Sequence, residues 1–155
     1  MSNIDECEEQ VKNNPQDAKA HVSLGEALFY DGKIDEAMES YRSALRLDPQ
    51  NARAHFGLGK VFDIKKRYEQ MIDSFREAIF LAPDWPEAHY NLGLALLVVG
   101  EYDESVVCLK GAIQARPEYA EAHKALSVAY SMSGQSEKGK LHSQEAARLN
   151  PDFPS

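Results

Sequence analysis

Four of the five histidines, His21, His55, His89 and His123, stand at steps of 34, a ladder that invites a metal reading. Zinc needs its donors about 2 Å from one point, whereas packed helices lie roughly 8–10 Å apart, so histidines a whole repeat apart cannot share an ion. The plainer reading packs each ring between paired helices, while His142 lies off the ladder with no evident partner. Gly134 to Leu141 comes near the phosphate-cradling pattern GxxxxGK[ST], but Leu141 lacks the metal-binding hydroxyl and a helical stretch, not a strand, comes before it. Cys7 and Cys108 form no CxxC pair, and Cys108 reads as a helix-surface thiol. No GxSxG or HExxH is present, and Asp35-Glu36-Glu39 and Asp103-Glu104 sit where carboxylates favour the positive start of a helix. The reading is therefore a protein that is not an enzyme, with no catalytic residue, no metal site and no cofactor.

The elements that position these residues belong to a chain of 155 residues, 43% hydrophobic and 27% charged, a balance expected of one compact soluble domain rather than a disordered tail or a fibre. A formal net charge of -8 argues against nucleic acid and anionic lipid as partners. The acidic start, with Asp5, Glu6, Glu8 and Glu9, is not a signal peptide, so the chain is expected to begin as given, and its acidity would steer a basic partner. The longest apolar stretch, Leu92 to Val99, is far short of the roughly 20 residues that cross a bilayer, and two unpaired cysteines suit a reducing, cytoplasmic location.

Five prolines, Pro15, Pro49, Pro83, Pro117 and Pro151, repeat the step of 34. The spacing divides the chain into residues 1–17, four units at 18–51, 52–85, 86–119 and 120–153, and a tail at 154–155. Each unit opens with an apolar i, i+4 pair: Leu24 and Leu28, Leu58 and Phe62, Leu92 and Leu96, Leu126 and Tyr130. Gly32, Gly100 and Gly134 suit the left-handed residue that ends a helix, with Lys66 at the equivalent place in the second unit. A second apolar stripe follows, such as Tyr68, Met71, Phe75, Ala78 and Ile79, and the proline after it stops the helix. Ile4, Cys7 and Val11 give residues 1–17 a short capping helix.

Two helices per 34 residues, with Leu24-Gly25, Ala37, Tyr41 and Pro49, then Leu58-Gly59, Phe62, Phe75 and Pro83, and their counterparts further on, resembles the tetratricopeptide repeat. The resemblance implies an all-α fold, a right-handed α-α superhelix of four 34-residue helix-turn-helix repeats behind a short N-terminal capping helix. Two departures stand out: histidine replaces the family's tryptophan at the fourth position of every unit, and the last unit has Ser127, Ser136, Gly139 and Ser143 at signature sites. The second departure suits a terminal repeat that faces water.

The resemblance also implies a function: the first helices line a concave groove that binds a peptide or amphipathic helix of another protein, as an adaptor, scaffold or assembly factor. Its fifth positions are Val22, Phe56, Tyr90 and Lys124, and its ninth are Glu26, Lys60, Leu94 and Val128. The twelfth and thirteenth positions add Phe29 and Tyr30, Asp63 and Ile64, Leu97 and Val98, and Ser131 and Met132, with Asn91 beside Tyr90. The expected groove is therefore Phe29, Tyr30, Phe56, Lys60, Ile64, Tyr90, Asn91, Leu94, Leu97, Val98, Lys124, Val128 and Met132. For the leucine-rich third unit two readings stand side by side, a groove surface and deeper packing between repeats. Some family members clamp a chaperone tail's terminal carboxylate, but the matching positions here are Phe56, Lys60, Asn91, Glu121 and Ala125, and Glu121 would repel it. The alternative function is self-association, as a homo-oligomer joined through terminal repeats or groove.

Overall fold

The histidine ladder has a structural cause. In each unit the imidazole Nε2 meets the carbonyl of the proline six residues earlier: His21 to Pro15 at 2.9 Å, His55 to Pro49 at 3.0 Å, His89 to Pro83 at 2.7 Å and His123 to Pro117 at 2.9 Å. A carbonyl only accepts, so Nε2 carries the hydrogen and ties each loop to the first turn of the helix that follows. Side-chain caps add to this at two starts, where Asp17 accepts from the Lys19 amide at 2.9 Å and Asn51 from the Ala54 amide at 3.1 Å.

The structure, a computed structural model, describes residues 3–153, and the expected tail at 154–155 lies outside them. Every regular element among the described residues is an α-helix: α1 Asn3–Asn13, α2 Ala18–Tyr30, α3 Ile34–Leu47, α4 Ala52–Ile64, α5 Tyr68–Leu81, α6 Pro86–Val99, α7 Tyr102–Ala115, α8 Ala120–Met132 and α9 Ser136–Leu149. No helix among those residues is long and apolar enough to cross a membrane. The chain divides into two compact units, Met1–Ala82 and Pro83–Ser155.

In the first unit α2 packs on α3 and α4 on α5, with α1 against α2 and α3 against α4. The centre of each pair is one large ring, Tyr41 on α3 and Phe75 on α5, both almost wholly buried. Burying such a side chain contributes about 1.5–3 kcal/mol. Room for the rings comes from glycine: a Cβ on Gly25 would stand 2.8 Å from Tyr41 Cε1, and one on Gly59 would meet the Phe75 ring. Helix α1 buries Cys7, with Ile4 and Val11 half-buried, as a cap should. Burial pushes the Cys7 thiol up, with Glu6 and Glu26 adding to it, so it is held in the unreactive form.

In the second unit α6 packs on α7 and α8 on α9, and α8 also touches α6 and α7. Leu109 takes the place of the ring in α6/α7, while Ser143 stands there in α9. Cys108 is not a surface thiol: it is 9% exposed, because it sits beside Leu109 on the inner face of α7. Left-handed residues end the first helix of each pair, Gly32, Gly100 and Gly134 at φ 82°, 85° and 81° and Lys66 at φ 57°.

Candidate binding surfaces

The exposed side of the first unit's leading helices is aromatic, and a cation covers it. Lys60 Nζ lies 4.4 Å from the Phe29 ring centre, 4.8 Å from that of Tyr30 and 5.8 Å from that of Phe56. Its ammonium also donates to the Tyr30 hydroxyl at 3.4 Å. Phe29 and Tyr30 meet edge to face at 5.7 Å, and Phe56 leans on the buried Phe75 at 5.6 Å. Rings attract cations through their negative faces, so Lys60 is held down on the patch rather than extended into water. Ile64, one turn on from Lys60, is exposed, and at the other end of α4 Arg53 grips Glu26 with two nitrogens, at 2.8 and 2.7 Å for the closer one.

The corresponding side of the second unit is an open pocket of about 360 Å³. Tyr90, Leu94 and Leu97 of α6, Ala125 and Val128 of α8 and Phe153 wall it, with Glu121 and Lys124 also in the lining. Tyr90, Leu94 and Leu97 rest on the unit's core of Val106, Leu109, Leu126 and Tyr130, so they are at once half-buried packing and pocket floor. Val98 is 61% exposed, Met132 55% and Val128 48%. Lys124 Nζ lies 4.4 Å over the Phe153 ring. Tyr90 leans at 5.0 Å on Tyr119, the rings tilted by 41°, and Arg116 covers Tyr119 at 4.9 Å while that guanidinium pairs with Glu87. The Tyr119 hydroxyl is pushed up to about 12, by burial first and then by Tyr90 and Glu87, against Arg116; Tyr90 is raised by burial and Glu121. Both phenols stay neutral donors throughout the physiological range.

Family models bear on this architecture directly. One described as TPR repeat matches residues 25–63, and two described as Tetratricopeptide repeat match 52–84 and 90–138. The chain is a tetratricopeptide repeat protein. Its fold is similar to a solved structure described as "Crystal structure of MamA", at 23% identity, 96% coverage of this chain and 87% of that one, with a TM-score of 0.86. "MamA 41-end from Desulfovibrio magneticus RS-1" is similar at 20% identity, 98% and 86% coverage and a TM-score of 0.84. These likenesses concern the fold. Comparison with curated proteins gave no match. Tetratricopeptide repeats are protein-interaction or scaffold modules, and the chain belongs to that class.

The tetratricopeptide register brings most of the expected residues together within their own units, as Phe29, Tyr30, Phe56 and Lys60 in the first and Tyr90, Leu94, Leu97, Lys124 and Val128 in the second. Val22 departs from it: this fifth position is buried, in the repeat whose first helix also carries α1. Asn91 turns its amide back onto the Glu87 carbonyl of its own helix at 2.7 Å. Sequence reasoning missed Phe153 as a pocket wall, although it stands 34 residues after Tyr119, the ring that packs on Tyr90. It also left His142 without a partner, whereas His142 Nδ1 lies 3.0 Å from His123 Nδ1. The phosphate-loop look-alike is the turn into α9, with Gly134 at φ 81° and Gly139 against the Ser127 carbonyl. Among the described residues no group of three or more His, Cys, Asp or Glu is placed to hold a metal.

Proposed function

We propose that this protein is a non-catalytic, cytoplasmic adaptor or scaffold whose repeats, residues 18–51, 52–85, 86–119 and 120–153, hold a peptide or amphipathic helix of another protein on their first helices. The observation that carries the reading is the second unit's pocket, whose walls are leucine, valine, alanine and aromatic rings left open to water. Exposed contiguous apolar surface on a folded protein marks an interaction site, and an apolar anchor of a partner gains most where such a pocket is preformed. The lysine-capped patch of the first unit supports an aromatic or apolar contact there too, and Glu121 disfavours a carboxylate-ended tail. Self-association is the second reading, favoured by Leu141, 66% exposed on α9. A mass in solution that grows with protein concentration would mark it.

Site-specific photo-cross-linking tests the proposal. A photoreactive residue at Val98 or Val128 should capture a partner protein that the same probe at Val107, 68% exposed on α7, does not. Equal capture from all three positions would remove the first-helix surface as the binding site.

A further inference from the structure

The three earlier helix pairs close in one way and the last in another. Tyr41, Phe75 and Leu109, at successive steps of 34, are buried anchors, and the next step is Ser143. Lacking an anchor, α9 comes in close: a Cβ on Gly139 would stand 2.8 Å from the Ser127 carbonyl oxygen. The buried residues of α9 are Gly139 and Ala146. Between them lies a stack of rings, His142 on His123 at 5.2 Å and on Tyr130 at 5.6 Å, with the two Nδ1 atoms 3.0 Å apart.

Hydrogen accounting fixes the protonation of this stack. The Pro117 carbonyl takes the His123 Nε2 hydrogen, so a neutral His123 has a bare Nδ1, which accepts the His142 Nδ1–H. One added proton leaves an N–H···N bond between the rings, because His142 can carry its own hydrogen on Nε2, but a proton on each ring sets two Nδ1–H donors face to face. A proton added at His142 goes to Nε2 and charges a half-buried ring. The groups around that ring are His123 and Tyr130 of α8, Lys110 of α7, and Glu145 of α9 itself. Lys138 lies 5.6 Å over Tyr130, and Glu145 is paired with Arg148 at 2.7 Å.

We propose that His123 and His142 form a proton-operated latch, holding α9 on α8 while at least one ring is neutral and loosening it when both are protonated. Burial, then His123 and Lys110, hold His142 below the ordinary value of 6.5, with Glu145 opposing. A histidine lowered in the folded state binds fewer protons there than when unfolded. The docking of α9 is therefore complete above 6.5 and is lost as pH falls below it.

Amide hydrogen exchange on the full chain at about pH 7.5 and about pH 5.5, corrected for intrinsic rates, tests this, because a docked state that binds one proton fewer than the undocked one loses about tenfold in its docking equilibrium for each pH unit below the ordinary histidine range. The expected result is that protection of α9, relative to α7, falls about tenfold at the lower pH in the wild type and stays level in His142→Leu. Equal relative protection at both pH values in the wild type, or an unchanged fall in His142→Leu, overturns the latch. Should His142→Leu leave α9 unprotected at both, ring-proton titration of the wild type decides. A His142 midpoint below those of His21, His55 and His89 supports the latch, and a common midpoint overturns it.

Discussion

The α4/α5 pair of the first unit and the α8/α9 pair of the second have the same lengths, 13 and 14 residues, and opposite interiors. In α4/α5 the second helix drives Phe75 onto Gly59 of the first; in α8/α9 the first helix carries Ser127 and the second offers Gly139. The backbone plan is the same, but an apolar anchor holds one pair and a ring stack with two hydrogen-bonded histidines holds the other. Spacing therefore sets where helices lie, and a single side chain per pair sets how firmly they are held.

The sharpest way to break that comparison is to remove the anchor. Phe75→Ala should cost about 3–5 kcal/mol in urea unfolding, with Ser143→Ala within about 0.5 kcal/mol of wild type. At the first-helix position the effects should differ in sign: Gly59→Ala crowds the Phe75 ring and costs about 1–3 kcal/mol, and Ser127→Ala gains a few tenths (~0.3 kcal/mol) from helix propensity. Equal effects in both pairs would mean that the interiors are alike after all. The smallest effect concerns the turns. Lys66 holds φ 57° where its three counterparts are glycine, so Lys66→Gly should raise stability by up to about 1 kcal/mol, measured by the same unfolding curves.

Much of the fold is legible because a period of 34 repeats the same local signals. Leu24 and Leu28, Gly32 and the proline at the end of each stripe are enough to set helix, turn and stop, and the helices begin at Ala18, Ala52, Pro86 and Ala120 at that spacing. The surfaces are less legible, because they depend on which way side chains turn across repeats. Nothing local to Lys60 says that it folds down over Phe29 and Tyr30, 30 residues earlier for the latter. Cys108 reads as exposed until its helix is placed, and His142 finds His123 through the absence of a large residue at Ser143. The leucines of α6 are open to two readings because they serve both: Leu92 and Leu96 are core, Leu94 and Leu97 are core on one side and pocket on the other.

The two surfaces differ as the two interiors do, one with its rings gathered under Lys60 and the other an open, largely apolar pocket in which Lys124 covers the Phe153 wall alone. The claim that the open one binds another protein is tested most directly by quantitative mass spectrometry of proteins that co-purify with the wild type, with Val98→Asp/Val128→Asp and with Val107→Asp. All three substituted positions are exposed, so folding should be unchanged by circular dichroism. The account predicts a partner retained by the wild type and by Val107→Asp and lost from the double variant. A partner kept by the double variant, or lost from Val107→Asp instead, would contradict it.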